Sequence, residues 1–276
     1  MRKREIKTTL LYVVLILITF LSISPLIWIF LTAFKIRREI FAIPPVWIPK
    51  LPTLNNFISI FTGGFSRTPF IYNSIIISLS TTLLAMVIAT MAAYGFAKFR
   101  VPRSKDIEFW ILSTRMMPPI AVVIPLFLLF RNVGLLDTKR GLIIVYIAFN
   151  LPFAIWMMSI FFRQLPREIE EAAVIDGCST FSLLRYISLP LVAPGLAVVA
   201  IFTFYFTWNE LLLALILTGR IAKTFPVSIS EFRGVVNIRW GPMAASSIVH
   251  IAPVIVITFL LQKYIIAGLT LGAIKK

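Results

Sequence analysis

The chain reads as an all-α membrane protein with six transmembrane helices, and three observations predict this. Of 276 residues, 59% are hydrophobic and only 14% are charged, with a mean hydropathy of +0.94. A soluble domain carries roughly 45–50% apolar and about 25% charged residues. The apolar residues are gathered into six runs, each near the roughly 20 residues a helix needs to cross hydrocarbon. Finally, the basic residues behind the formal net charge of +16 lie in the gaps between the runs. There they meet anionic headgroups, so the charge speaks for a lipid bilayer partner and against nucleic acid.

The runs place spans at about 10–34, 70–97, 107–130, 141–162, 188–217 and 244–267. Met1-Arg2-Lys3-Arg4 before the first resembles a signal-peptide head. The apolar run behind it is long and lacks an A-x-A site, so it reads as a retained span. Pro25, Pro125, Pro152, Pro194 and Pro253 fall inside spans. Membrane helices tolerate them where neighbours satisfy the freed carbonyls. The gaps after spans one and five are long for simple turns, and each is expected to be ordered. No internal repeat is evident, and the whole chain, 1–276, is expected to be one transmembrane domain. The single cysteine, Cys178, excludes an intrachain disulfide and reads as a small apolar filler. No G-x-x-x-x-G-K-[ST] or H-E-x-x-H occurs.

The gap after span four carries the most information. Pro166 suits a first helical turn, where its missing N–H is not needed. Glu168, Glu170 and Glu171 follow, and carboxylates complement the positive end of a helix. Gly177 suits the stop. This predicts a short helix over about 166–178, with Glu170 and Glu171 free to pair with basic residues of a partner. Ile169, Ala172 and Ala173 would add a small apolar surface, with Ala173 and Gly177 on one face. In order the segment reads Glu171-Ala172-Ala173, then Gly177, then Ile187-Ser188-Leu189-Pro190, that is E-A-A, G and I-x-L-P at set spacing. A bland interfacial helix joining two spans does not require that terminal I-x-L-P.

This pattern resembles the EAA loop of permease subunits in ATP-binding-cassette importers. Arg115-Met116-Met117-Pro118-Pro119, Trp208-Asn209-Glu210, Phe225-Pro226-Val227 and the run from Trp240 to Ser246 are similar to the carbohydrate branch. Within it they match the shorter, six-span, MalG-like subunit of maltose-type importers. The resemblance implies a type I ABC importer transmembrane domain and transport without catalysis in this chain. ATP and Mg would be bound by a partner, and no cofactor by this chain. The implied partners are a homologous second permease subunit, two ATPase subunits and an extracytoplasmic sugar-binding protein. The implied location is a prokaryotic cytoplasmic membrane. Lys and Arg divide too evenly between the gaps to orient the spans. The ATPase contact orients them instead, with the 166–178 helix and both termini cytoplasmic. Glu170, Glu171, Ala172, Ala173, Asp176, Gly177, Ile187, Leu189 and Pro190 are the implied coupling residues. The 219–240 gap is either a reach into the binding protein or an ordered cap. The 272–276 tail is an ATPase contact or a basic end drawn to lipid.

Polar residues inside spans usually face a cavity or a partner. Asn73, Arg115, Asn150, Trp208, Asn209 and Glu210 are therefore the candidates for a translocation path or gate. Arg115 either snorkels to the inner headgroups or pairs with a carbonyl or acid of a neighbouring helix. Trp208 fits the aromatic belt better than a sugar platform. Glu210 fits a structural hydrogen bond or a gate, and His250 fits helix packing. Two alternatives compete with a sugar permease. One is a permease for a non-sugar solute such as polyamine. The other is an ion-coupled secondary transporter, which would want more mid-membrane acids and broken-helix repeats.

Overall fold

The computed structural model describes residues 2–62, 66–234 and 237–271, with side chains from Lys7 to Gln262 within those ranges. The 272–276 tail lies outside the described residues. Among the described residues helices dominate, and the only extended pairing is one bridge between Arg233 and Ile238. Five helical stretches are long and apolar enough to cross a membrane: Lys7–Ala33, Thr68–Lys98, Lys139–Arg163, Thr180–Trp208 and Trp240–Gln262.

The third expected span, 107–130, is not one helix. Helix α5 (Ser104–Ser113) runs into a tight 3-10 turn, Thr114–Met116. Helix α6 (Pro119–Asn132) then leaves at 88° to the first arm. Met117 and Pro118 are extended, with ψ of 124° and 128°. Two consecutive prolines remove two N–H donors and push the residue before them out of the helical region. Counted as one broken span, the pair brings the total to six. The fifth expected span, 188–217, is broken as well. Helix α10 (Leu189–Trp208) ends at Asn209, and the short α11 (Leu212–Leu217) follows.

The chain divides into two compact units, Met1–Thr68 with Ser228–Pro253, and Pro69–Val227 with Val254–Lys276. In the first, the described side chains of α1 (Arg2–Ala33) are mostly apolar and largely exposed from Lys7 to Phe30, as suits a helix facing lipid, while Thr32 and Ala33 at its end are buried. Beyond it come α2 (Arg37–Ile40) and α3 (Asn55–Phe61). The end of α1 is held by the Asn56 amide, which donates to the carbonyls of Ala33 and Lys35, both at 2.9 Å. Ala33, Ile60, Phe232, Ala244 and Ala245 form the core there. Lys35 is buried with its ammonium 4.0 Å from the Trp28 ring. Burial pushes that ammonium down from its ordinary pKa, and nearby Glu39 offsets part of the shift.

The second unit is built on α4 (Thr68–Lys98), α6, α7 (Lys139–Arg163), α10 and α11. Ala85, Ala89 and Ala93 repeat every four residues on α4 and are fully buried. Small residues in a row let helices approach closely in lipid, where packing replaces the hydrophobic drive. Met86, Tyr94, Ala154, Met158, Phe162, Val192 and Val199 fill the seam between α4, α7 and α10. Gly195 completes it, because a Cβ at that position would stand 2.4 Å from the Phe161 ring.

At the α6–α7 end of this unit, Asp137 adopts a φ of 53° and turns its carboxylate onto the chain after α11. It accepts from the N–H groups of Gly219, Arg220, Ile221 and Ala222 at 2.9–3.1 Å. The Asn73 amide donates to the carbonyls of Ile221 and Lys223 from α4. Residues 219–223 of the 219–240 gap are thus clasped to this unit, and α12 (Phe225–Ser230) follows with Phe225 buried.

Two outcomes follow. Gly195→Val should lower folded stability by about 1–3 kcal/mol through overpacking against Phe161, read as a lower unfolding temperature of the detergent-solubilised chain. For Asp137, partial burial alone would raise the carboxyl, but the four N–H bonds outweigh it and hold its pKa below the ordinary aspartate range. A depressed folded value means stability that is complete above the unfolded value and lost as pH falls through the folded one. Asp137→Asn should therefore cost about 1–2 kcal/mol at neutral pH, discounted for its partial exposure. The difference from the unaltered chain should close below about pH 4 in the same thermal measurement.

Candidate coupling site

Helix α8 (Arg167–Ile175) follows Pro166, whose extended backbone (ψ 132°) starts it. Its end is a Schellman motif. The N–H of Cys178 donates to the Ala173 carbonyl and that of Gly177 to the Val174 carbonyl, both at 3.0 Å. Gly177 occupies the left-handed position, with φ +86°. No atom lies within 4 Å of where its Cβ would stand, so the demand for glycine is conformational rather than steric. Ser179 caps the next short helix, α9 (Thr180–Leu183), accepting from the Ser182 N–H. A π-helical turn, Leu184–Ser188, then leads into α10 and contains Ile187. Leu189 and Pro190 follow the π turn directly, within the continuous helical stretch Thr180–Trp208.

Only Glu170 and Ala173 of α8 are buried, three residues apart on one face. The rest of the helix projects from the body: Glu171, Ala172 and Asp176 are exposed, Val174 is 58% exposed and Ile175 85%. The expectation for Glu170 is corrected here. Its carboxylate is not free for a partner, because Oε2 lies 2.8 Å from the Lys98 ammonium and Oε1 accepts from the Ser188 hydroxyl at 3.0 Å. Position 170 faces the body, and position 171, about 100° further round the helix, faces away. Ala173 is likewise taken up by the body instead of sharing an open face with Gly177. Beside α8 lies an open cavity of about 870 Å³, lined by Lys98, Arg100, Arg163 and Arg167 together with Glu170 and Glu171. Nearby, Arg163 at the end of α7 pairs with the buried Glu108 of α5.

The polar residues of the spans are brought together only in part. Glu210 accepts from the Tyr146 hydroxyl at 2.7 Å and from the N–H groups of Leu213 and Ala214 at 2.8 and 3.0 Å. It thereby caps α11 and ties it to α7. Asn150, also buried, donates to the Tyr146 carbonyl and the Thr207 hydroxyl. Arg115 stands in the 3-10 turn with its guanidinium over Phe206 (4.3 Å) and Phe153 (5.0 Å), and a long 3.5 Å contact to the Phe149 carbonyl. Of the two expectations for Arg115, the contact with a neighbouring helix is the one seen: the proline break sets the guanidinium against the rings of α7 and α10 and near the Phe149 carbonyl.

Trp208 is 2% exposed and stacked on Phe204, 5.6 Å between centroids, so the aromatic-belt expectation is also corrected. The residue falls on the packed side of α10. Asn209 is exposed and donates to the Tyr205 carbonyl. Asn73 belongs to the clasp on residues 219–223, away from this group. His250 is half-buried in α13 (Trp240–Leu271). Sequence reasoning missed Lys98, Ser188 and Tyr146, which complete these networks. Ser188 is the variable position of I-x-L-P, and Lys98 lies one residue past the expected end of span two at 97.

Residues 85–270 match the family described as "binding-protein-dependent transport system inner membrane component". Among similar proteins, a trehalose transport system permease protein of Mycobacterium tuberculosis is 41% identical over 92% of this chain and 93% of its own length. A trehalose/maltose transport system permease protein of Thermococcus litoralis is 34% identical over 100% of this chain and 99% of its own. A bacterial ABC transporter involved in alginate import has a chain of the same fold, with a TM-score of 0.82 at 23% identity, covering 96% of this chain and 98% of that one. The exposed E-A-A helix, its glycine stop and the helical spans around it are thus found in a chain that belongs to the inner-membrane permeases of binding-protein-dependent ABC importers, which are transport components and not enzymes.

Proposed function

We propose that this chain translocates a sugar or oligosaccharide of the trehalose or maltose kind, driven by a separate ATPase through α8. One observation carries the sugar: relatives matched over nearly the whole chain, and at up to 41% identity, are named for trehalose or maltose transport. The lever reading is supported by the physical state of α8, which is fixed to the body by one buried stripe and otherwise presents its surface to solvent. In this reading the α8 end faces the cytoplasm, and with six crossings both termini do as well. The Asp137 clasp faces the extracytoplasmic side, where a sugar-binding protein delivers substrate. Two ATPase subunits hold ATP and Mg, this chain binds neither, and its single transmembrane domain, 1–276, forms the pore together with a homologous second permease.

The mechanism follows from differential affinity. ATP closes the ATPase pair and α8 moves with it. The spans exchange an inward-open for an outward-open cavity only insofar as α8 contacts differ between the two states. Glu210 and Asn150 act as gate or frame groups in this cycle rather than as sugar contacts, since their polar atoms are already engaged within the α7–α10–α11 seam.

Glu171→Ala and Gly177→Val should each leave the chain inserted and ATP hydrolysis by the assembled complex running, while sugar uptake into proteoliposomes falls about tenfold or more. Radiolabelled sugar uptake measured beside phosphate release checks this. Sugar movement by the chain without any ATPase, down an ion gradient, would establish the secondary-transporter alternative in its place.

A further inference from the structure

We infer that Glu170 is a positioning residue that welds the coupling helix to the ends of α4 and α10, so that displacement of α8 is delivered to those two spans as one body. The inference rests on the reading of α8 as the ATPase contact, and it assigns Glu170 a task distinct from docking.

The geometry separates two jobs on adjacent residues. Glu170 is 9% exposed and its neighbour Glu171 is exposed. The Glu170 carboxylate bridges two helix ends at once. On one side stands Lys98, the last residue of α4, where a cation also complements the negative end of the helix. On the other stands the fully buried Ser188, which leads directly into α10. Tyr94, one turn before Lys98, lies beside both Ser188 and Glu170 and packs edge-on against Phe162 of α7, 5.4 Å between centroids. The knot therefore sits on the α4–α7–α10 core without a flexible intermediary. Between α8 and α10 the chain turns at Gly177 and then runs on as one helical stretch, Thr180–Trp208, through a five-residue π turn. The direct Glu170 link shortens the mechanical path from 18 residues of chain to one side chain.

Charge-assisted bonds of this kind are directional, and they are strong where water is scarce. Removing the charge leaves the exposed face of α8, and with it the docking surface, unchanged. The ATPase then still engages and still hydrolyses, but α8 moves without carrying α4 and α10.

The test uses the whole assembly, with companion permease, ATPase and binding protein, in proteoliposomes. Glu170→Gln should raise the ATP hydrolysed per sugar transported about fivefold, and Ser188→Ala, which keeps the ion pair, should raise it by a smaller factor. Zero-length carbodiimide coupling of Lys98 to Glu170, read by mass spectrometry, should be equally efficient in nucleotide-free and nucleotide-trapped complexes. If Glu170→Gln does not assemble, Ser188→Ala and the crosslink carry the test. An unchanged ratio in both variants, or a crosslink lost on trapping nucleotide, overturns the weld and leaves the permease reading intact. Absence of ATP-driven uptake by the unaltered assembly overturns that reading and the weld with it.

Discussion

A bilayer core has no water to offer a broken helix, and most of the polar detail in this protein follows from that constraint. An unpaired backbone group in hydrocarbon costs several kcal/mol. Continuous helix is therefore the rest state, and each departure has a device beside it. The chain leaves α10 at Asn209, and Glu210 takes up the N–H groups of the next helix. It leaves α1 at Ala33, and Asn56 takes up the carbonyls. It turns after α11, and Asp137 collects four N–H groups in a row. At Pro118-Pro119 no N–H exists to be orphaned. Two of the side chains that looked like path residues in sequence, Glu210 and Asn73, serve such breaks.

Sequence carried the spans well, because a run of apolar residues has one physical explanation at this length. It carried the stop of α8 as well, since a glycine two residues beyond the end of a helix has a defined role in the Schellman geometry. It did not resolve the 88° elbow, although Met117-Pro118-Pro119 spells it out. A window long enough to see a span averages over the two residues that end one helix and start another. Glu170 and Glu171 are chemically identical, and which one turns inward depends on where the body lies, a fact of tertiary structure alone. Trp208 failed for the same reason: proximity to a span end suggested the interface, but rotation about α10 placed the ring against Phe204.

The second unit holds two kinds of polar contact at its two ends. Around α8 they are ion pairs between side chains, Lys98–Glu170 and Arg163–Glu108. Around Asp137 they are side-chain clasps on backbone, with Asn73 helping. Side-chain ion pairs tie whole helices to one another by their ends, as suits a place where a neighbour pulls. Backbone clasps fix the course of a loop, as suits a lid over spans. Between them the seam is mostly apolar, packed from alanine, valine, methionine and aromatic side chains, with the Glu210–Tyr146 and Asn150–Thr207 bonds among its polar contacts.

The right-angle join between α5 and α6 gives this layer a mechanical sense. A straight rod passes an axial push from one membrane face to the other unchanged. A bent one held at its corner acts as a crank: a transverse push on the first arm, not an axial one, swings the second. Arg163 grips α5 through Glu108, and Arg115 is seated on the aromatic rings at the bend, so both the first arm and the corner are tied to their neighbours. Under the proposed coupling, a stroke that tips α5 would be handed to α6 as a change of its tilt.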